Sequence, residues 1–200
     1  MGQVKTDKWI LPEGETWPNK TAPIKHIVLH CTDVQPGINQ KEWDVIANIN
    51  KNYRRPNNHI STKPLPSIPY HYAIGESQVW WLLDEKKLTW HAKGINMSSI
   101  GLAMLYRATN SRYSPPYTMM LRVIDLIAEL LFKFKLNLDS TKLSPNTSVM
   151  GHREVGKYLD MTTEKGPTVL KECPGNLIDL DLLRYEVMLR YEILFGGKNG

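Results

Sequence analysis

Residues 24–32 read Ile-Lys-His-Ile-Val-Leu-His-Cys-Thr and predict the short buried strand around which the chain is organised. The run is rich in β-branched residues, which favour strands. Side chains alternate between the two faces of a strand, so His26 and His30 share one face and Cys31 lies on the other. A histidine at the end of an apolar strand, where the chain leaves the sheet, is well placed to act outside the core.

The composition is that of an ordinary globular protein, with 200 residues, 42% hydrophobic and 22% charged. This length fits one domain, and we expect residues 1–23 to form an extended arm laid over a single domain at 24–200. The formal charge of +5 favours acidic partners, such as an anionic cell-wall polymer. Because the charge is spread along the chain, we expect no nucleic-acid partner. We also expect a monomer.

No apolar run reaches transmembrane length, so we expect no membrane partner. The N-terminus lacks the apolar core of a signal peptide. These features predict a protein that is cytoplasmic when synthesised and that reaches any target outside the cell by means of another protein.

Hydrophobic periodicity predicts a mixture of helices and strands. Amphipathic helices are expected at 40–54, 117–136 and 177–195. Strands are expected at 24–30, 69–75, 78–83 and 99–106, with a short strand or turn at 149–152. Residues 55–68 predict a long loop, and residues 155–170 a segment that loops out and returns. The pattern indicates an α/β fold built around one sheet.

Three residues that could bind a metal ion lie where apolar segments give way to polar loops, namely His30, His152 and Cys173. Two histidines and a thiolate leave one tetrahedral position of a zinc ion open, as in catalytic zinc sites. Their wide spacing taken alone favours ordinary structural residues, because zinc-finger ligands cluster in sequence. Cys31 points to the other face of its strand and is predicted to be a buried thiol.

Six short motifs follow one another in the chain. They are Val28-Leu29-His30-Cys31-Thr32, Tyr70-His71-Tyr72, Trp90-His91-Ala92-Lys93-Gly94, Ser99-Ile100-Gly101, Gly151-His152-Arg153-Glu154 and Lys171-Glu172-Cys173-Pro174-Gly175. In this order the chain resembles the type-2 N-acetylmuramoyl-L-alanine amidases from about residue 24 to residue 184. That family includes phage amidase-type lysozymes and peptidoglycan recognition proteins.

The resemblance implies a zinc hydrolase with a mixed sheet flanked by helices and one zinc ion at an edge of the sheet. The ligands would be His30, His152 and Cys173, and the substrate would be peptidoglycan. In the branch that uses a cysteine ligand, the resemblance assigns catalytic roles to Tyr70 and Lys171. The recycling-type branch uses a glutamate in the strand after the His-Ala-Gly loop, and residues 100–104 here contain no carboxylate.

The remaining site residues are predicted to contact substrate or to support the fold. His91 is expected to line the cleft, and Trp90 is the best candidate for stacking on a sugar ring. His26 and His71 are expected to be structural, and His59 has no evident role.

The resemblance implies hydrolysis of the amide bond between N-acetylmuramic acid and L-alanine. We expect the protein to be a bacteriolytic phage or prophage endolysin that acts on the cell wall after release. A toxin amidase delivered to a competitor would have the same sequence features. A non-catalytic peptidoglycan-binding module and a regulatory binder are the alternatives from other functional classes.

Overall fold

Strand β1 (His26–Cys31) lies inside a five-stranded sheet in the computed structural model, which describes residues 16–108, 114–162 and 172–196. The other strands of this sheet are β2 (Tyr72–Ile74), β3 (Val79–Trp81), β4 (Ser99–Met104) and β5 (Val149–Gly151). Their order is β3-β2-β4-β1-β5. Only β2 and β3 pair antiparallel, as the predicted hairpin, so the mixed sheet is confirmed.

Four helices accompany the sheet in the described part of the chain. They are α1 (Glu42–Tyr53), α2 (Tyr117–Phe134), α3 (Val155–Thr162) and α4 (Leu180–Phe195). The three predicted helices are confirmed, with ends that differ by a few residues. In the described residues, no helix combines the length and the apolar character needed to cross a membrane.

The prediction that residues 155–170 loop out is wrong for the first half of that segment. Val155, Tyr158 and Leu159 of α3 are buried, and their i, i+3, i+4 spacing gives this short helix one apolar face. That face packs beside Val28 of β1. This contact holds α3 close to His152, the residue that follows β5. The rest of the segment, up to residue 171, lies outside the described residues.

Both faces of β1 are covered, which explains its continuous apolar sequence. Ile27 and Leu29 pack against α2 and α4, where Val123 and Leu183 belong to the same buried cluster. Another group of buried residues, which includes Ile46 of α1, covers the part of the sheet that β2 and β3 form. Burial on both sides holds the end of β1 in a fixed position, and this is where the candidate site forms.

Residues 16–20 are anchored to this framework. Trp17 is buried, and its indole N–H donates to Ser67 Oγ at 2.9 Å. The Lys20 ammonium donates to the carbonyls of Glu85 and Lys87 and lies 2.9 Å from His71 Nε2. Most of the predicted arm, residues 1–15, lies outside the described residues, so the division into an arm and a domain stays a prediction.

Candidate metal centre

His30, His152 and Cys173 lie together at the carboxyl ends of two neighbouring parallel strands. Leu29 of β1 pairs with Gly151 of β5, so the next residues along the two strands, His30 and His152, are also neighbours. Their ring centroids are 4.5 Å apart, and Cys173 Sγ lies 3.8 Å from His30 Nδ1. One ligand atom from each of the three residues lies within 4.8 Å of the others. This group could hold a metal ion.

Arg153 brings the cysteine to the two histidines. Its backbone N–H donates to the Cys173 carbonyl at 2.7 Å, and its guanidinium donates to the carbonyls of Gly175 and Ile178. From the other side, the backbone N–H of Cys31 donates to Cys173 Sγ at 3.2 Å. The turn that carries Cys173 (the Cys173 turn) is therefore fixed both to Arg153, which follows His152, and to Cys31 at the end of β1.

A buried ion pair supports the turn that carries His152. Arg184 of α4 donates to both carboxylate oxygens of Glu154, at 2.9 and 3.1 Å, and its side chain is 1% exposed. Glu154 also accepts a hydrogen bond from the backbone N–H of Gly151. The Glu154 carboxylate is therefore engaged by both Arg184 and the backbone, and it supports the turn that carries the candidate ligand His152.

His91 holds the far side of the His30 ring. His30 Nε2 lies 3.1 Å from His91 Nδ1, and His91 Nε2 lies 3.1 Å from Ser99 Oγ, which donates to the Ile95 carbonyl at 2.7 Å. Because Ser99 gives its hydrogen to a carbonyl, it accepts one from His91 Nε2–H. His91 Nδ1 then accepts from His30 Nε2–H, and this leaves His30 Nδ1 free to bind a metal.

Gly101 makes room for His91. A Cβ atom at residue 101 would lie 2.8 Å from Cγ of the imidazole ring, closer than real contacts allow. The Ser99-Ile100-Gly101 motif therefore has a physical explanation: Ser99 bonds the His91 ring, and Gly101 leaves the space that the ring fills.

Burial favours the neutral form of His30 and His91. The pKa of His30 is held well below its usual value by burial and by its neighbours His152 and His91. The pKa of His91 is also well below its usual value, again mainly because of burial. Only a neutral imidazole can bind a metal ion, so this environment favours the ligand form of His30.

Tyr70 lies beside the ligands and lines a cavity of about 340 Å³. Its ring centroid is 5.1 Å from that of His30. Burial raises the pKa of the Tyr70 hydroxyl well above 10, with a further contribution from nearby Tyr53. Near neutral pH, Tyr70 is therefore a phenol that can donate or accept a hydrogen bond.

The other predicted site residues occupy different environments. His91 is 6% exposed and contacts His30, so its position favours holding that ligand, and its predicted contact with substrate stays a prediction. Trp90 is 51% exposed and lies edge-on to Trp17. Lys171 lies outside the described residues. Cys31 is half-buried with its Sγ 3.8 Å from Cys173 Sγ, and the metal-binding group does not include it.

His26 and His71 are structural in their contacts, and His59 has a partner that the sequence did not indicate. His26 Nδ1 lies 3.1 Å from the Thr147 carbonyl, and His71 Nδ1 accepts from Gly101 N–H. His59 Nε2 lies 3.0 Å from the Tyr53 hydroxyl. Sequence reasoning missed His59 and Tyr53, because the contact depends on how the loop after α1 folds back.

Solved structures of amidases and peptidoglycan recognition proteins share this fold. The N-acetylmuramoyl-L-alanine amidase LysC from Clostridium intestinale has a TM-score of 0.58 at 20% identity, over 92% of this chain and 97% of its own. The Staphylococcus aureus hydrolase AmiA has a TM-score of 0.62 at 17% identity, over 96% and 84%. Drosophila PGRP-LB has a TM-score of 0.56 at 18% identity, over 85% and 88%.

A comparison with curated protein sequences finds no match. The sequence model of the N-acetylmuramoyl-L-alanine amidase family matches residues 20–176, which include all six motifs in full. The matched region contains all three candidate ligands. On this evidence the chain belongs to the type-2 N-acetylmuramoyl-L-alanine amidase family.

Proposed function

We propose that the chain is a zinc-dependent amidase that hydrolyses the bond between N-acetylmuramic acid and L-alanine in peptidoglycan. The observation that carries the proposal is the group formed by His30, His152 and Cys173 beside Tyr70 and its cavity. Three protein ligands next to an accessible cavity are typical of catalytic zinc sites, whereas structural sites have four.

The donor set fits zinc. Neutral imidazole nitrogen and thiolate sulfur are the ligands that zinc prefers. From usual zinc–nitrogen and zinc–sulfur distances, two such atoms on one tetrahedral ion lie about 3.6 Å apart. The 3.8 Å between His30 Nδ1 and Cys173 Sγ is close to this value.

A zinc ion held there would activate a water molecule near neutral pH and polarise the scissile carbonyl. The protein's own residues would orient the water, stabilise the negative oxygen and hold the ligands in place. Tyr70 would orient the attacking water or donate a hydrogen bond to the carbonyl oxygen as it becomes negative. Lys171, two residues before the cysteine ligand, would stabilise the same oxyanion. His91 would keep the His30 ring in place.

The positive charge of the chain suits this substrate. Peptidoglycan stem peptides carry carboxylates, and a protein with a formal charge of +5 attracts an anionic polymer over a distance set by ionic strength. The cavity beside Tyr70 carries Arg55 on its wall, together with neutral amides such as Asn52. Its lining therefore suits a peptide that presents a carboxylate.

For the biological role we propose a phage or prophage endolysin, because endolysins are among the solved structures with this fold. A toxin amidase would share the same chemistry and would differ in having a neighbouring immunity protein. The peptidoglycan recognition proteins among the similar structures make a binding module the second candidate. Binding without hydrolysis would identify that case.

The test is incubation of the purified protein with purified peptidoglycan sacculi. An amidase releases new L-alanine amino termini and no new reducing sugar ends, whereas a glycosidase does the opposite. Sedimentation with sacculi measures binding in the same samples. The proposal predicts L-alanine termini that increase with time, and binding without any new termini would contradict it.

A further inference from the structure

A chain of hydrogen bonds leads from an exposed histidine to Tyr70. His59 Nε2 lies 3.0 Å from the Tyr53 hydroxyl, and the Tyr53 hydroxyl lies 3.3 Å from the Tyr70 hydroxyl. The Tyr70 ring in turn contacts His30. The chain therefore connects the loop after α1 with the candidate metal centre.

All three members of the chain line one cavity. This cavity of about 340 Å³ is also bordered by Thr32, just after β1, and by Arg55. Tyr53 and Tyr70 are 4% and 7% exposed, whereas His59 is exposed. The hydroxyl groups are thus shielded from bulk water, and the imidazole is the member that meets solvent.

Asn58 fixes His59 in position. Its side-chain amide donates to the carbonyls of Tyr53 and Lys63, at 3.0 and 3.2 Å. Its side-chain oxygen accepts from the backbone N–H groups of Ile60 and Ser61. These bonds attach the loop to the end of α1. They therefore hold His59 at a defined position next to Tyr53.

The two hydroxyl groups have one hydrogen each, and two arrangements let all the hydrogen bonds of the chain run in one direction. If His59 Nε2 accepts from Tyr53, the Tyr53 oxygen can accept from Tyr70, and the Tyr70 hydrogen is used in the bond to Tyr53. If His59 Nε2–H donates, Tyr53 donates to Tyr70, and the Tyr70 hydrogen is free to point at a substrate oxygen.

We propose that Tyr53 and His59 are positioning residues that set the direction of the Tyr70 hydroxyl. With Nε2–H as donor, His59 and Tyr53 present Tyr70 as a hydrogen-bond donor to the oxygen of the scissile carbonyl. With the opposite arrangement, Tyr70 is an acceptor that orients the attacking water. The catalytic part of this inference depends on the proposed amidase activity, but the coupling along the chain does not.

The coupling is tested without catalysis by ¹⁵N NMR of histidine-labelled protein. Tyr70→Phe should shift the ring nitrogen resonances of His59, because the Tyr53 hydroxyl contacts both residues and transmits the change. In a Tyr53→Phe background the same substitution should have no effect on His59. Tyr158→Phe, which removes a hydroxyl 3.3 Å from His26 Nε2, is the matched control and should leave His59 unchanged. Resonances of His59 that do not respond to Tyr70→Phe would overturn the proposal.

The effect on the reaction is tested by a double-mutant cycle. Tyr53→Phe should lower kcat about tenfold with KM nearly unchanged, as expected for one lost hydrogen bond that acts in the transition state. In the Tyr70→Phe background it should cause no further loss. Equal losses in both backgrounds would mean that Tyr53 contacts substrate directly and would overturn the positioning role.

His59 is tested by a conservative pair of variants. An amide can accept or donate near the position of Nε2, so His59→Gln should keep most of the activity. His59→Leu should lower kcat about as much as Tyr53→Phe does. Equal activity of both variants and wild type would contradict a role for His59. A wild type that hydrolyses no peptidoglycan, yet shows the NMR coupling, would overturn the proposed function and leave the coupling established.

Discussion

His30 Nε2 lies 3.1 Å from His91 Nδ1, on the side of the His30 ring opposite to the Cys173 sulfur. From His91 the hydrogen bonds continue through Ser99 to the Ile95 carbonyl. They fix the His30 tautomer in which Nε2 carries the hydrogen and Nδ1 has none, so that Nδ1 can bind a metal ion. Such contacts to a metal-binding histidine set its orientation and raise its basicity.

We therefore expect His91→Ala to weaken zinc binding by about 10- to 100-fold, the usual effect of removing such a partner. The dissociation constant can be measured by competition with a chromogenic chelator. His26→Ala is a matched control, because His26 is also a buried histidine on β1 but contacts Thr147 and Tyr158. Equal zinc affinity of His91→Ala and wild type would contradict this account of His30.

Arg153 should matter for zinc binding although it is not a ligand. Arg153→Met removes the guanidinium bonds to the Gly175 and Ile178 carbonyls and keeps much of the side-chain volume. The Cys173 turn loses two of the contacts that hold its sulfur near His30. We expect weaker zinc binding with little change in the fold, measured by chelator competition and circular dichroism. Unchanged zinc affinity would show that the turn is held by its other contacts alone.

The pair of Arg184 and Glu154 should dominate the stability of the region around His152. Arg184→Met leaves the Glu154 carboxylate without its main partner and should lower the free energy of unfolding by about 3–5 kcal/mol. Urea denaturation measures this loss. Arg190→Met is the control, because Arg190 and Asp125 form a pair that is 38% and 43% exposed. Exposed pairs contribute about 1 kcal/mol or less. Similar losses for the two variants would contradict the importance of the buried pair.

The stability of the metal-free protein should fall in acid, in part because of His71. Burial, with a further effect from Lys20, lowers the pKa of His71 from 6.5 to about 3. Below pH 6.5 the unfolded chain binds a proton at His71 that the folded chain does not bind. The free energy of unfolding should therefore decrease as the pH falls from 6.5 toward 3, by at most about 1.4 kcal/mol per pH unit for this group.

Urea unfolding of the metal-free protein at pH 7, 6 and 5 measures this dependence. His71→Gln removes the titrating group, so its free energy of unfolding should change less with pH than that of wild type. Other buried histidines, such as His30 and His91, should leave part of the dependence in place. Identical pH dependence in the variant and in wild type would contradict the assignment to His71.

The sequence predicted the parts of the fold that depend on local pattern. The apolar run before His30 predicted β1, and the spacing of Val123, Ile127 and Leu130 predicted α2. It did not predict α3, because the segment is only eight residues long and its three buried residues resemble isolated apolar positions in a loop.

The contacts around the site depend on tertiary packing and could not be predicted from local pattern. Residue types and motif order indicated His30, His152 and Cys173, and the structure brings them together. Nothing in the spacing of His91 showed that its ring would fill the space over Gly101. The bond between Tyr53 and His59 likewise depends on how the loop after α1 folds back.

The zinc content and amidase activity of three proteins, measured together, test the central claim most directly. Wild type should carry one zinc ion per chain and release L-alanine termini from sacculi. Cys173→Ala should lose most of its zinc and its activity. Cys31→Ala is the matched control, because it keeps the backbone N–H that donates to Cys173 Sγ at 3.2 Å and removes a thiol that contacts the same sulfur at 3.8 Å; it should retain both. A wild type without stoichiometric zinc, or a Cys173→Ala variant that keeps its zinc and full activity, would contradict the account.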